Sequence, residues 1–206
     1  MERNGTKNAM KTFRQFLNLK ESEGSKRLVV YDFDGTLFNS PEQEDGSKRY
    51  YELTNKPWPF KGWWGRVESL MPPLVPENPD DSWYISNVAA AQKEDSADPN
   101  ATVVLMTGRA IHLKPRVMDI LDKGGLKFHD TFFAGQSGTK GSGTFEIKAN
   151  NIRNLLNSDY ETLEIWEDRP EHVHEFGVLG KKIKEENPNL KRVIIHDVKR
   201  GNTEEF

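Results

Sequence analysis

Apolar residues gather in short runs rather than spreading along the chain. RLVVYDF (27–33), ATVVLMTGR (101–109), ETLEIWEDR (161–169) and KRVIIHDV (191–198) are rich in β-branched and aromatic residues. They show no strict alternation, which is what strands covered on both faces of a parallel sheet require. LKFHDTFFA (126–134) predicts a fifth strand. In the first three runs the polar groups collect at the C-terminal end.

Helical patterns fall between these runs. HLKPRVMDILDKGG (112–125) places Val117, Ile120 and Leu121 on one face, with a proline near its start and glycines at its close. TFEIKANNIRNLLNS (144–158) offers Thr144 as an N-cap and an apolar face of Ile147, Ile152, Leu155 and Leu156. PEHVHEFGVLGKKIKEE (170–186) begins with Pro170 at a favoured first helical position. Strands alternating with helices predict an α/β fold, a doubly wound parallel sheet with right-handed crossovers.

Residues 39–100 break the pattern. Six prolines lie between positions 57 and 79, and Trp58, Trp63, Trp64 and Trp83 fall in the same stretch. A structureless loop of that length is improbable inside a compact domain. The segment therefore reads as an inserted cap after the first strand, closing with a helix over SNVAAAQKEDS (86–96). The expected organisation is an N-terminal helix over 1–26, a core formed by 27–38 and 101–200, the insert 39–100, and a tail 201–206. The N-terminal helix is basic and loosely amphipathic through Phe13, Phe16 and Leu17. GQSGTKGSGT (135–144) reads as a flexible loop that lacks the spacing of a phosphate-binding P-loop.

Composition narrows the chemistry. The 206 residues carry 29 Lys and Arg against 32 Asp and Glu, a net charge of −3, so nothing in bulk attracts a polyanion. With no cysteine, thiolate nucleophiles, disulfides and Cys-ligated zinc are excluded. No apolar run approaches the roughly 20 residues that span a bilayer, and no signal-peptide core opens the chain. The expectation is a soluble, cytoplasmic protein.

The strand ends hold the candidate chemistry. In open α/β sheets ligands bind beyond the carboxyl ends of the strands. Asp32 and Asp34 close the first strand, Thr107, Gly108 and Arg109 the second, and Glu167, Asp168 and Arg169 the run at 161–169. Burying Asp32 and Asp34 together costs several kcal/mol unless a cation is near. Oxygen ligands without cysteine favour Mg²⁺ over zinc. With the charge neutralised, one carboxylate can attack a phosphate while the other carries the leaving oxygen's proton. Gly35 lets the chain turn, and the Thr36 hydroxyl can satisfy nearby backbone groups.

DFDGTL after an apolar strand, LMTGR after the next, a lysine upstream and a closing acidic pair resemble the haloacid dehalogenase (HAD) superfamily of phosphatases over roughly residues 27–200. KGWW (61–64), VLMTGR, DTFF (130–133) and IWEDRPEH (165–172) resemble more closely the HAD domains of Swiss Army Knife RNA repair proteins. The EDR trio is similar to the DDR of polynucleotide kinase 3′-phosphatase domains. The resemblance implies a HAD-like Rossmannoid core and a Mg²⁺-dependent phosphatase. In it Asp32 is the nucleophile, and Asp34 is the acid and base whose carbonyl also meets the metal. Thr107 binds phosphoryl oxygens, Lys148 neutralises charge, and Asp168 completes the metal shell. Glu167 stands where many relatives have Asp, and it either reaches the metal through water or orients a neighbour. The site lysine is Lys148 or Lys140.

The expected substrate contacts are Gly108, Arg109, Arg169, His172, Trp63 and Trp64. Arg169 reads equally as a phosphate clamp or as an ion-pair partner of Glu167, and His172 as support for the acidic loop. Trp63 and Trp64 either pack the insert or stack bases. The substrate implied is a phosphorylated one. A nucleic-acid 3′-phosphate end is favoured by the resemblance, a small metabolite or nucleotide is the alternative, and an idle phosphate-binding module is the rival outside enzymes.

Overall fold

The structure is a computed structural model describing residues 25–136, 143–156 and 159–206. The expected N-terminal helix and Lys140 lie outside those residues, apart from positions 25 and 26. Six strands form one sheet: β1 (Arg27–Tyr31), β2 (Ala101–Ala110), β3 (Asp130–Ala134), β4 (Thr162–Glu167), β5 (Arg192–Asp197) and β6 (Asn202–Glu205). Their order is β3-β2-β1-β4-β5-β6. The first five are parallel, and β6 pairs antiparallel with β5. Positions 202–205, read above as tail, are thus the sheet's edge. That strand is short and almost wholly exposed, so it carries no apolar alternation to announce it.

Five helices accompany the sheet: α1 (Gln43–Thr54), α2 (Ser86–Ala97), α3 (Lys114–Lys123), α4 (Thr144–Leu155) and α5 (Pro170–Glu186). The pleat divides β1 between two cores. Val29 and Tyr31 join Val88 of α2 and Val117, Ile120 and Leu121 of α3 on one face. Leu28 and Val30 join Ile152 of α4 and Phe176 and Ile183 of α5 on the other. Each of these fully buried aliphatic side chains contributes ~1.5–3 kcal/mol. Two details differ from expectation. Gly143, not Thr144, caps α4, and no side chain bonds at that end. The buried Thr36 hydroxyl has no hydrogen-bond partner among the described residues.

The stretch between β1 and α2 packs against the core through named bonds. Arg116 of α3 donates to the carbonyls of Leu70, Pro76 and Glu77 at 2.9, 2.8 and 3.1 Å. Tyr84 donates to the Ile120 carbonyl at 2.7 Å. Trp63 lies in the insert's interior, 2% exposed, with its indole NH on the Pro41 carbonyl at 2.9 Å. Gly46 is required there, because a Cβ would collide with the Trp63 ring. No helix among the described residues is long and apolar enough to cross a membrane.

Candidate active site at the strand tips

With this strand order, the chain reverses direction across the sheet between β1 and β4, which is where a crevice opens in doubly wound folds. Asp32 directly follows β1 and donates its backbone NH to the Trp166 carbonyl of β4 at 3.1 Å. Glu167 ends β4, and Asp168 follows it. One carboxylate oxygen from each of Asp32, Glu167 and Asp168 can be chosen so that all three lie within 4.8 Å of one another. Gly35 makes this approach possible. Its φ is +68°, and a Cβ there would strike the Asp168 carboxylate.

Lys148, on the first turns of α4 and buried, spans the group. Its Nζ lies 2.9 Å from Asp32 Oδ1 and 2.7 Å from Glu167 Oε2. Glu167 Oε1 accepts the backbone NH of Arg169 at 3.3 Å, and His172 Nδ1 lies 3.4 Å from Oε2. Glu167 is therefore the anchor for Lys148, Arg169 and His172.

The electrostatics follow from burial. Desolvation first, then the charges of Glu167 and Asp34, push Asp32 up to about 6 against the pull of Lys148. Desolvation together with Asp32 and Glu167 pushes Asp168 up to about 7. Burial acts the same way on Glu167, yet Lys148 and His172 overcome it and hold that carboxyl below its ordinary range. Burial opposes the charge on Lys148, but Asp32 and Glu167 raise its pKa. Lys148 pairs with Asp32 and Glu167, and the Asp168 Oδ1 atom is buried with no hydrogen-bond partner among the described residues. These donors are all oxygen and fit a hard divalent cation.

The other predicted residues take distinct places. Asp34 is turned to Arg109, whose Nε lies 3.1 and 2.9 Å from its two oxygens and whose Nη2 lies 2.7 Å from Oδ1. Thr107 is buried at the end of β2, and its Oγ1 accepts the Arg109 backbone NH at 3.1 Å. Gly108 lies against the Thr144 methyl. Arg169 makes no side-chain ion pair or hydrogen bond with Glu167 among the described residues. Its guanidinium sits 5.9 Å from the Trp64 ring centroid, on a ring that Arg109 also approaches at 4.8 Å. Trp64 thus borders the cluster, whereas Trp63 packs within the insert. Sequence reading missed Ser40, whose hydroxyl donates to Asp34 Oδ1 at 2.5 Å, and Ser69, which accepts from Arg109. Small polar residues in a proline-rich insert carry no signal that would single them out.

A parallel sheet that gathers an Asp-x-Asp pair, a buried lysine and a second acidic pair at its central tips defines a haloacid dehalogenase-type domain. Residues 49–204 match the HAD domain family 1 in Swiss Army Knife RNA repair proteins, and the chain belongs to that family. The Asp32–Asp34 pair lies just before the matched stretch. Similar solved structures include a chain of the Pnkp1/Rnl/Hen1 RNA repair complex, with 16% identity over 76% of this chain and 40% of that one, TM-score 0.45. A second structure of the Pnkp1/Rnl/Hen1 complex gives 14% identity over 85% and 47%, TM-score 0.46. The Legionella pneumophila effector Ceg4 gives 13% identity over 86% and 88%, TM-score 0.49. The chain spans less than half of the two repair-complex chains. No curated protein is significantly similar to it in sequence.

Proposed function

We propose that the chain is a Mg²⁺-dependent phosphomonoesterase working through an aspartyl-phosphate on Asp32, with a 3′-phosphorylated nucleic-acid end as its substrate. The observation that carries this reading is the convergence of Asp32, Glu167 and Asp168 around Lys148, with Asp34 two residues beyond Asp32. Asp32, Asp168 and the Asp34 main-chain carbonyl would hold Mg²⁺, with Glu167 adjoining. A bound Mg²⁺ supplies charge neutralisation that lets Asp32 stay ionised beside a phosphate.

In the first half-reaction an Asp32 carboxylate oxygen bonds to phosphorus as the bond from phosphorus to the ester oxygen breaks with its electron pair. Protonated Asp34 gives its proton to that oxygen, which departs as an alcohol. In the second, Asp34 takes a proton from water as the water oxygen bonds to phosphorus. The bond from phosphorus to Asp32 breaks, restoring the carboxylate and freeing phosphate. Lys148 holds the Asp32 side chain in place, and Thr107 and Arg169 receive phosphoryl oxygens. Membership in a family of RNA repair proteins supports the polynucleotide end.

Asp32→Asn should end Mg²⁺-dependent phosphate release, a loss of at least ~10⁴-fold. Turnover persisting in the pure variant contradicts the assignment. Rates on 3′-phosphorylated oligonucleotides should exceed those on free nucleotides and sugar phosphates. The reverse order would make the enzyme a small-molecule phosphatase, and silence across the panel would make it a binding module.

A further inference from the structure

Arg109 is 1% exposed at the end of β2, and its planar side chain faces two parts of the molecule at once. Toward the core, Nε and Nη2 hold Asp34. Toward the insert, Nη1 donates to Ser69 Oγ at 2.8 Å and to the Trp64 carbonyl at 3.2 Å. The Trp64 ring covers the guanidinium at 4.8 Å. Ser69 Oγ in turn donates to the Arg66 carbonyl at 2.7 Å, so the acceptor that receives Arg109 is itself fixed. The pairing of β2 with β3 shifts register between Thr107 and Ala110, an irregularity of the kind that re-aims a side chain.

The two Asp34 oxygens are treated unequally. Oδ1 accepts from Ser40 Oγ and from Arg109 Nε and Nη2, whereas Oδ2 accepts from Nε alone at 2.9 Å. Nε is shared between the two oxygens with its shorter contact on Oδ2, so the guanidinium fork and the Ser40 hydroxyl together fix the rotation of the Asp34 carboxyl group. A lysine could supply charge here but not a fork that distinguishes two oxygens.

We infer that Arg109 is a positioning residue that fixes the Asp34 carboxyl group and ties its placement to the Trp64–Ser69 stretch of the insert. Arg109 then touches no phosphate. The inference rests on the phosphatase reading given above, because it assigns a residue that acts through that reaction's acid. It separates from a purely structural role because proton delivery matters only when the leaving oxygen needs a proton.

The test is kcat/KM, with Mg²⁺, on two esters. p-Nitrophenyl phosphate expels an anion that is stable unprotonated, while glycerol 2-phosphate expels an alkoxide that must be protonated. In Arg109→Lys the alkyl ester should lose ~10²-fold or more and the nitrophenyl ester under ~10-fold, since general acid catalysis contributes ~10²–10⁴-fold. Ser69→Ala, which touches neither acid nor phosphate, should show the same selectivity at about 2- to 10-fold. Equal losses on both esters in both variants overturn the inference while leaving the phosphatase reading intact. If wild-type protein releases phosphate from neither ester nor from a 3′-phosphorylated oligonucleotide, the reading and the inference fall together. Should Arg109→Lys fail to fold, as judged by its melting curve, the Ser69→Ala ratio decides.

Discussion

Two groups of buried charges lie on opposite faces of the same sheet, and they are finished differently. On the face covered by α2, Arg27 donates to Glu164 Oε2, Asp95 Oδ1 and Asp98 Oδ2 at 3.2, 3.1 and 2.7 Å. Tyr31 donates to Asp95 Oδ2 at 2.6 Å, and His196 Nε2 lies 2.9 Å from Glu164 Oε1, its ring stacked on Trp166. Every carboxylate oxygen of Asp95 and Glu164 is engaged. At the strand tips beside α4, Asp32 and Glu167 share Lys148, and a buried oxygen of the adjoining Asp168 has no hydrogen bond among the described residues. In the first network each of these carboxylate oxygens is closed by a donor; in the second, one is left without a donor among the described residues. Burial of charge alone therefore says little about function; what differs between the two groups is how their carboxylate oxygens are met.

The contrast predicts opposite consequences for substitution. Asp32→Asn removes a carboxylate whose ionisation burial disfavours, so its large effect on turnover should come with an unchanged or raised melting temperature. Arg27→Met should do the reverse. Stranding Asp95 and Glu164 should cost ~3–5 kcal/mol in denaturant unfolding, while the activity of the folded fraction stays near wild type. A loss below ~1 kcal/mol would mean that the α2-side network is not the closed scaffold described here.

A smaller effect should appear in pH dependence. The folded-state pKa values of Asp32 and Asp168 stand above the ordinary 3.8, at about 6 and about 7. Stability from these groups is full below their unfolded pKa and is lost as pH rises through 6 to 7. Glu167 has the opposite sign, since its lowered pKa supplies stability that disappears as pH falls below its unfolded value of 4.5. Chelated protein should therefore lose melting temperature between pH 5 and 7.5, by ~2–4 °C for each kcal/mol. Mg²⁺ should flatten that slope, and Asp168→Asn should reduce it without metal. A chelated protein whose melting temperature rises steadily across the window would contradict the geometry.

The architecture was largely legible because buried parallel strands and amphipathic helices print their periodicity. α1 was not foreseen: most of its residues are exposed, and only Gly46 is buried, so no apolar stripe marks it. Within the site, the acids could be named because each sits at the end of an apolar run, whereas the lysine stayed open between Lys148, in a helix, and Lys140, in a loop. The clamp of Arg109 on Asp34 spans 75 positions and depends on how the insert returns to β2, which no local pattern encodes. Arg27 and Glu164 did carry a signal, as charges inside otherwise apolar strands, but their partner Asp95 lies on a helix of the crossover.

The most direct test is to quench the protein in acid during turnover of an aryl phosphate with Mg²⁺ and to map the phosphoryl group by peptide mass spectrometry. The account predicts a phosphoryl adduct on Asp32 that is absent from Asp32→Asn. A phosphoryl group on another residue, or steady turnover with none on Asp32, would contradict it.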